Sequence, residues 1–304
     1  MIEAASPDEP GGVACAVLAY ALWGVVPLYW RMLDGVPPFE TTAHRIVWCA
    51  LFALAVAIAR GRLAHVVAIL RTPRLVGTLA LTGLLISINW SVYIYCVASR
   101  QLVEASLGYY INPLISIALG VLFFGERMSR LRLAAVALAT AAVAVKAVSL
   151  GHVPWIAPVL AVSFGFYGYF RKLAPVDAMD GLLVETAIVW PISVVLLAYW
   201  SIAGNAAFPS ADLGRDALLI GAGPITAVPL ALFAAGARRI RLSTLGFLQY
   251  LSPSITLLLA IFGFREHFTH FDAWAFGCVW AALVLVVLEG NIARFRARVA
   301  TTEP

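Results

Sequence analysis

Ten apolar runs, each long enough to cross a bilayer as a helix, dominate this chain and leave little else to fold. They lie near residues 12–30, 40–59, 76–98, 105–124, 131–150, 155–170, 180–200, 214–236, 243–264 and 272–290. A spanning helix needs about 20 mostly apolar residues to cross a hydrocarbon core about 30 Å thick. The joints between runs are short and polar, so no soluble domain fits between them. With 62% hydrophobic and 12% charged residues over 304 positions, the expected fold is an all-α polytopic membrane protein with ten transmembrane helices.

The start, MIEAASPDEP, is acidic and lacks the basic region of a cleavable signal, so residues 1–10 read as a disordered tail and the first run as a retained anchor. Cys15, Cys49, Cys96 and Cys278 stand alone inside apolar runs, which argues against disulfides and zinc and for small core hydrophobes. Nineteen arginines against two lysines hint at a GC-rich bacterial genome.

The basic residues set the orientation. With the N-terminus inside, the inner connections hold Arg60, Arg62, Arg71 and Arg74; Arg127, Arg130 and Arg132; Arg171 and Lys172; and Arg238, Arg239 and Arg241. The tail 291–304 adds Arg294, Arg296 and Arg298. Each outer connection holds one, Arg31, Arg100, Lys146, Arg215 or Arg265, giving 15 against 5 with Arg45 left inside a run. Both termini are therefore expected in the cytoplasm of a bacterial inner membrane. The basic excess is read as a topology device, with no nucleic-acid partner.

The chain also repeats itself. Residues 95–109 match 233–247 at an offset of 138, with Arg100/Arg238, Leu107/Leu245 and Gly108/Gly246 in register. After a two-residue slip the offset is 140, pairing Pro113 with Pro253 and Glu126 with Glu266. Ile46-Val47-Trp48 returns as Ile188-Val189-Trp190. The reading is one five-helix unit used twice, over 11–150 and 154–290; an odd number of helices per unit inverts the second copy. Inverted repeats of this kind mark secondary transporters, which bind substrate near the midplane between the copies.

Several polar positions are candidates for such a site. Tyr109, Asn112 and Ser116 share one helix face, and Gln249, Ser252 and Thr256 occupy the matching face of the ninth run. Pro113 and Pro253 each favour a kink. These stripes would line a cavity or join helices by hydrogen bonds. Asn89, Tyr93, Cys96 and Arg100 form a third stripe flanked by Trp90, and a membrane-buried Asn89 needs protein or water as partner. Trp30, Trp155, Trp200 and Trp274 are expected as interface anchors, whereas Trp23, Trp48 and Trp190 lie deeper.

The segments GYYINPLISIALGVLFFGER, AHRIVW, NWSVYIY, LVETAIVWP and STLGFLQYLSPSI resemble the RarD-type (chloramphenicol-sensitivity) permeases of the EamA group in the drug/metabolite transporter superfamily. The resemblance covers about residues 11–290. It implies ten helices in two inverted halves around a central cavity, and movement of a small metabolite or drug, without defining which.

Rival classes find less support. No P-loop occurs, GAGPIT at 221–226 is a lone G-x-G inside an apolar run, and Glu266, His267 and His270 lack the order of a zinc peptidase. An intramembrane enzyme or a membrane scaffold without transport activity remains the alternative. No cofactor and no metal are expected; the partners are a small-molecule substrate and the lipid bilayer, with a homodimer left open. The expected protein is an exporter working by alternating access between its halves. Arg45 and Glu185, charges of opposite sign inside the runs, are expected to take the anionic group and the amine or proton of a substrate, with His44 and Asn89 as polar neighbours; the alternative is an architectural Arg45 that pairs with Glu40 or Glu104 or snorkels to the outer surface. Arg45 lies roughly 9 Å from the outer end of its run. Glu104 and Glu185 are the candidates for proton coupling.

Overall fold

The computed structural model describes residues 8–33, 35–98, 102–150 and 155–259, residue 262, and residues 270–271, 273–274, 277–282, 284–285 and 288–289. It is helical throughout, with α1 (Pro10–Arg31), α2 (Pro38–Ala59), α3 (Leu63–Leu70), α4 (Pro73–Ala98), α5 (Leu102–Phe124), α6 (Arg130–Leu150), α7 (Ile156–Leu173), α8 (Ala178–Ile202), α9 (Leu213–Ala237), α10 (Leu242–Gln249) and α11 (Leu251–Leu258). The described residues between 270 and 289 are helical as well. Among the described residues five helices are long and apolar enough to cross a membrane: α1, α2, α4 through Tyr93, α8 and α9. The chain is a multi-pass membrane protein.

The surface is built for lipid. Leu18, Ile58, Leu84, Leu122, Ile192, Val195 and Ile202 are all exposed, a belt that water would not tolerate. Small residues fill the interfaces instead, with Ala16, Ala19, Cys49, Ala53, Ala222, Ala227 and Ala237 fully covered, so backbones approach closely.

The helix pairings follow a pattern. α5 packs on α7, and α1 on α10 and α11; α2 packs on α9, and α4 on α8; α1 packs on α9, and α4 on α7. α2 packs on α8, and α5 on α10. Exchanging α1 with α7, α2 with α8, α4 with α9 and α5 with α10–α11 returns the same set. Individual contacts obey the exchange too: a Cβ on Gly24 would meet Ile255 Cβ at 2.6 Å, and one on Gly165 would meet Ile115 Cγ2 at 2.4 Å. Ile115 and Ile255 are 140 residues apart. The strongest pairings join helices from the first half of the sequence to helices from the second, so the two halves interlock rather than lie side by side.

The ninth apolar run departs from expectation. It divides at Tyr250 into α10 and α11, because Pro253 has no N–H to give the Gln249 carbonyl. Pro113 leaves α5 unbroken. The Gly-Glu-Arg end of α5 has a structural reason: Gly125 turns the chain at φ 60°, and Glu126 folds back against Gly120. Its buried carboxylate accepts from Leu242 N at 2.7 Å and Ser243 N at 3.0 Å, capping α10 from the other half of the sequence. The matching Glu266 lies outside the described residues.

At one end of the bundle the basic connections meet. Arg62 pairs with Asp180 at 2.6 Å, Lys172 donates to the Ala237 carbonyl at 3.0 Å, and Arg238 donates to the Val176 carbonyl. Arg132 donates to Ser243 at 3.0 Å and pairs with Glu289 at 2.7 Å. Asp8, placed by sequence in the tail, accepts from Arg241 N and Thr244 Oγ1, both at 2.7 Å. The ordered chain thus starts before residue 10; residues 1–7 and 291–304 lie outside the described residues.

Candidate functional site

Arg45 rises from the middle of α2 on the face that meets α9, and its Nε donates to Thr226 Oγ1 at 3.1 Å. Two indoles flank the guanidinium: the Arg45 Cζ lies 4.6 Å from the Trp30 ring centre and 4.8 Å from that of Trp90. Trp30 lies at the end of α1 and Trp90 belongs to α4, so three helices from the first half of the sequence and one from the second build this position. Cation–π attraction of this kind contributes about 1–2 kcal/mol per ring where water is displaced. Among the described residues no carboxylate lies within ion-pair distance of Arg45, and its two Nη amino groups have no hydrogen-bond partner. Tyr93 extends the wall, its ring 6.1 Å from that of Tyr109 on α5.

Trp90 also borders a narrow crevice, lined by Ser87 of the same helix and by Tyr167, Thr186 and Glu185. Glu185 is not the open charge the sequence suggested. Its Oε1 lies 3.5 Å from Arg171 Nη1, with side chains 2% and 1% exposed, and accepts from Thr82 Oγ1 at 2.5 Å. Arg171, read from sequence as part of a basic connection, is the partner. The seventh helix runs on to Leu173, past the expected end at 170, and so carries Arg171 into the interior. Gly181 leaves the space, since a Cβ there would sit 2.2 Å from Arg171 Nη1. The ion pair balances the Glu185 charge, while its Oε2 is left without a hydrogen-bond partner.

The remaining candidates divide. His44 does not join Arg45: consecutive helical residues point about 100° apart. Its ring packs 5.2 Å from Phe208, and its Nδ1 accepts from Trp48 Nε1 at 3.3 Å. Asn89 spends its amide on packing, donating to the Leu160 carbonyl at 2.9 Å and Ser163 Oγ at 3.1 Å. Asn112 is buried with Oδ1 unpartnered. Ser116 donates to Gln249 Oε1 at 3.4 Å, so the two polar stripes face each other across α5 and α10. Ser252 is half-buried on α11. The side chains of Glu104 and Thr256 lie outside the described residues, as do Cys96, Arg100 and Glu266 with His267. Cys15, Cys49 and Cys278 are free thiols.

Sequence reasoning missed Trp30, Thr226 and Arg171. Trp30 was placed among the rim anchors, yet its ring reaches Arg45. Thr226 closes the GAGPIT segment, whose Gly223 lets α9 press on the Trp48 backbone; a Cβ there would meet the Trp48 carbonyl carbon at 2.4 Å. Close backbone approach at Gly223 brings Thr226 within reach of Arg45, one turn further on.

Comparison with known proteins bears on this arrangement. Residues 10–147 match the model of the EamA-like transporter family. An uncharacterized transporter of Vibrio cholerae is 41% identical over 96% of this chain and 96% of its own. The protein RarD of Streptomyces exfoliatus is 38% identical over 99% of this chain and 96% of its own. A solved crystal structure, 19% identical, has the same fold with a TM-score of 0.70 over 93% of this chain and 98% of its own.

Proposed function

The chain belongs to the RarD-type permeases of the EamA-like transporter family, and from that premise we propose a secondary transporter that exports a small metabolite or drug by alternating access. The observation that carries this reading is Arg45. It is a membrane-embedded cation with its Nη edge free among the described residues, walled by Trp30 and Trp90 and steadied by Thr226 from the other copy. A buried charge is costly and is retained where it handles a ligand. Placing it where helices of both copies meet lets their relative motion change which side reaches it.

The exchange-symmetric pairings and the matched Gly24–Ile255 and Gly165–Ile115 contacts support two inverted copies. The meeting of the basic connections at one end supports a cytoplasmic location for that end and for both termini. Glu185 is the proposed proton-coupling group, because a buried carboxylate balanced by Arg171 and Thr82 changes its partners when it takes a proton.

The test is flux. Purified protein in liposomes is loaded with radiolabelled metabolites and drugs, with and without a pH gradient. Accumulation of none of them above protein-free liposomes would sink the transport reading. Flux that ignores the gradient, or is equally gradient-driven in Glu185→Gln, would remove the coupling assignment.

A further inference from the structure

We propose that the ligand of the Arg45 site is an organic monoanion, a carboxylate on a compact apolar or aromatic body, rather than a cation or a zwitterion. The inference rests on the reading of Arg45 as the substrate position. A guanidinium offers five N–H donors in one plane. Here Nε is taken by Thr226, and the indoles of Trp30 and Trp90 lie against the group. The edge formed by Nη1 and Nη2 is left, which is the edge that grips a carboxylate through two parallel hydrogen bonds.

The charges around the site point the same way. Glu185 is matched by Arg171 at 3.5 Å. Glu40, buried at the start of the same helix, accepts from Ala207 N at 2.6 Å. Asp216 is occupied by Ser210 N at 3.0 Å and Ser210 Oγ at 2.8 Å. None of these three carboxylates lies within ion-pair distance of Arg45 among the described residues, and in a medium of low dielectric a cation brought against the guanidinium meets repulsion. A zwitterion brings an ammonium that would lose its hydration without a partner. The walls supply Trp30, Trp90, Tyr93 and Tyr109, flat faces suited to a ring or an alkyl body.

Three probes share one body and differ in charge: phenylacetate, phenylalanine and phenethylamine. Equilibrium binding of each is measured on the full chain in lipid nanodiscs. Phenylacetate is expected to bind at least about tenfold more tightly than phenethylamine, with phenylalanine between them. Arg45→Gln is expected to lose that preference, and Arg45→Lys to regain part of it. Equal or tighter binding of phenethylamine, unchanged phenylacetate binding in Arg45→Gln, or binding of none of the three overturns the inference. The ranking on the unsubstituted protein decides even where a variant fails to fold. Liposome flux separates the two readings: transport of amines alone keeps the transporter and removes the anion site. Arg45-dependent phenylacetate binding without flux of any compound does the reverse.

Discussion

Arg171 and Glu185 illustrate how a charge can be buried in a membrane bundle without being available. Both side chains are almost completely covered, and the pair is joined by Thr82. Desolvating two ions costs several kcal/mol each, so the pair offsets its own burial and adds little beyond. Removing one partner is another matter. Arg171→Met strands a carboxylate and is expected to destabilise by about 3–5 kcal/mol, read as a fall in thermal unfolding temperature in detergent. The double variant Arg171→Met with Glu185→Leu should recover most of that loss. A double variant less stable than Arg171→Met would show that the pair contributes net attraction. Arg45 differs at this scale. Aromatic faces and one hydroxyl hold it, and it has no counter-ion among the described residues.

Among the elements, glycines decide how closely helices from the two halves of the sequence meet. A Cβ on Gly165 would lie 2.4 Å from Ile115 Cγ2, and one on Gly24 would lie 2.6 Å from Ile255 Cβ, distances no side chain tolerates. Overpacking of this kind costs about 1–3 kcal/mol. Gly165→Ala and Gly24→Ala are therefore expected to destabilise by similar amounts, and Ile115→Ala or Ile255→Ala to rescue the matching variant. Rescue of neither by its own isoleucine partner would break the equivalence of the two contacts.

What the sequence made legible lies at this scale. Long apolar runs follow from local composition, so helix positions were readable. The short α3 and the split at Tyr250 were not, since one depends on how a polar joint settles and the other on which proline breaks its helix. The site was half readable. Arg45 and Trp90 stand out as a buried charge with an aromatic beside a polar stripe. Trp30, Thr226 and Arg171 depend on which helix faces which, and no local pattern carries that.

The whole molecule has two unlike ends. At the basic end Asp8 holds Arg241 and Thr244. Burial raises its pKa, but hydrogen bonds from the Arg241 backbone, the Arg241 side chain and Thr244 outweigh it and hold the carboxyl below the usual aspartate range. A lowered carboxyl stabilises the folded state above the ordinary aspartate value and loses that contribution as pH falls through the lowered one. Amide exchange over residues 239–245, corrected for intrinsic rate, should therefore rise only at acid pH, and at neutral pH in Asp8→Asn. Identical exchange in Asp8→Asn at neutral pH would show that Asp8 holds nothing. Reporter fusions at residue 65 and at the C-terminus are expected to report cytoplasm, and one at residue 206 periplasm. A periplasmic signal at residue 65 would invert the orientation.

How such a molecule moves follows from its interlocked packing. Were each copy a rigid body, any link between a helix of the first copy and one of the second would stop transport. The pairings instead outline two mixed groups, α4 and α5 with α7 and α8, and α1 with α2, α9, α10 and α11, exchanged by the same symmetry and meeting where α5 touches α10 and where α2 touches α8. Two cysteine pairs separate these cases, in a background with the native cysteines replaced. Asn89 and Ser163, 3.1 Å apart between Nδ2 and Oγ, join the two copies inside one mixed group. Ser116 and Gln249, 3.4 Å apart between Oγ and Oε1, join the copies across the two groups. A disulfide at Ser116→Cys with Gln249→Cys is expected to abolish liposome flux and a reductant to restore it. The same bond at Asn89→Cys with Ser163→Cys should leave flux within about twofold of its reduced form, because packed interiors move as units. Loss of flux at both pairs would return the motion to rigid copies. Retention at both would mean that access to Arg45 changes without the two groups parting.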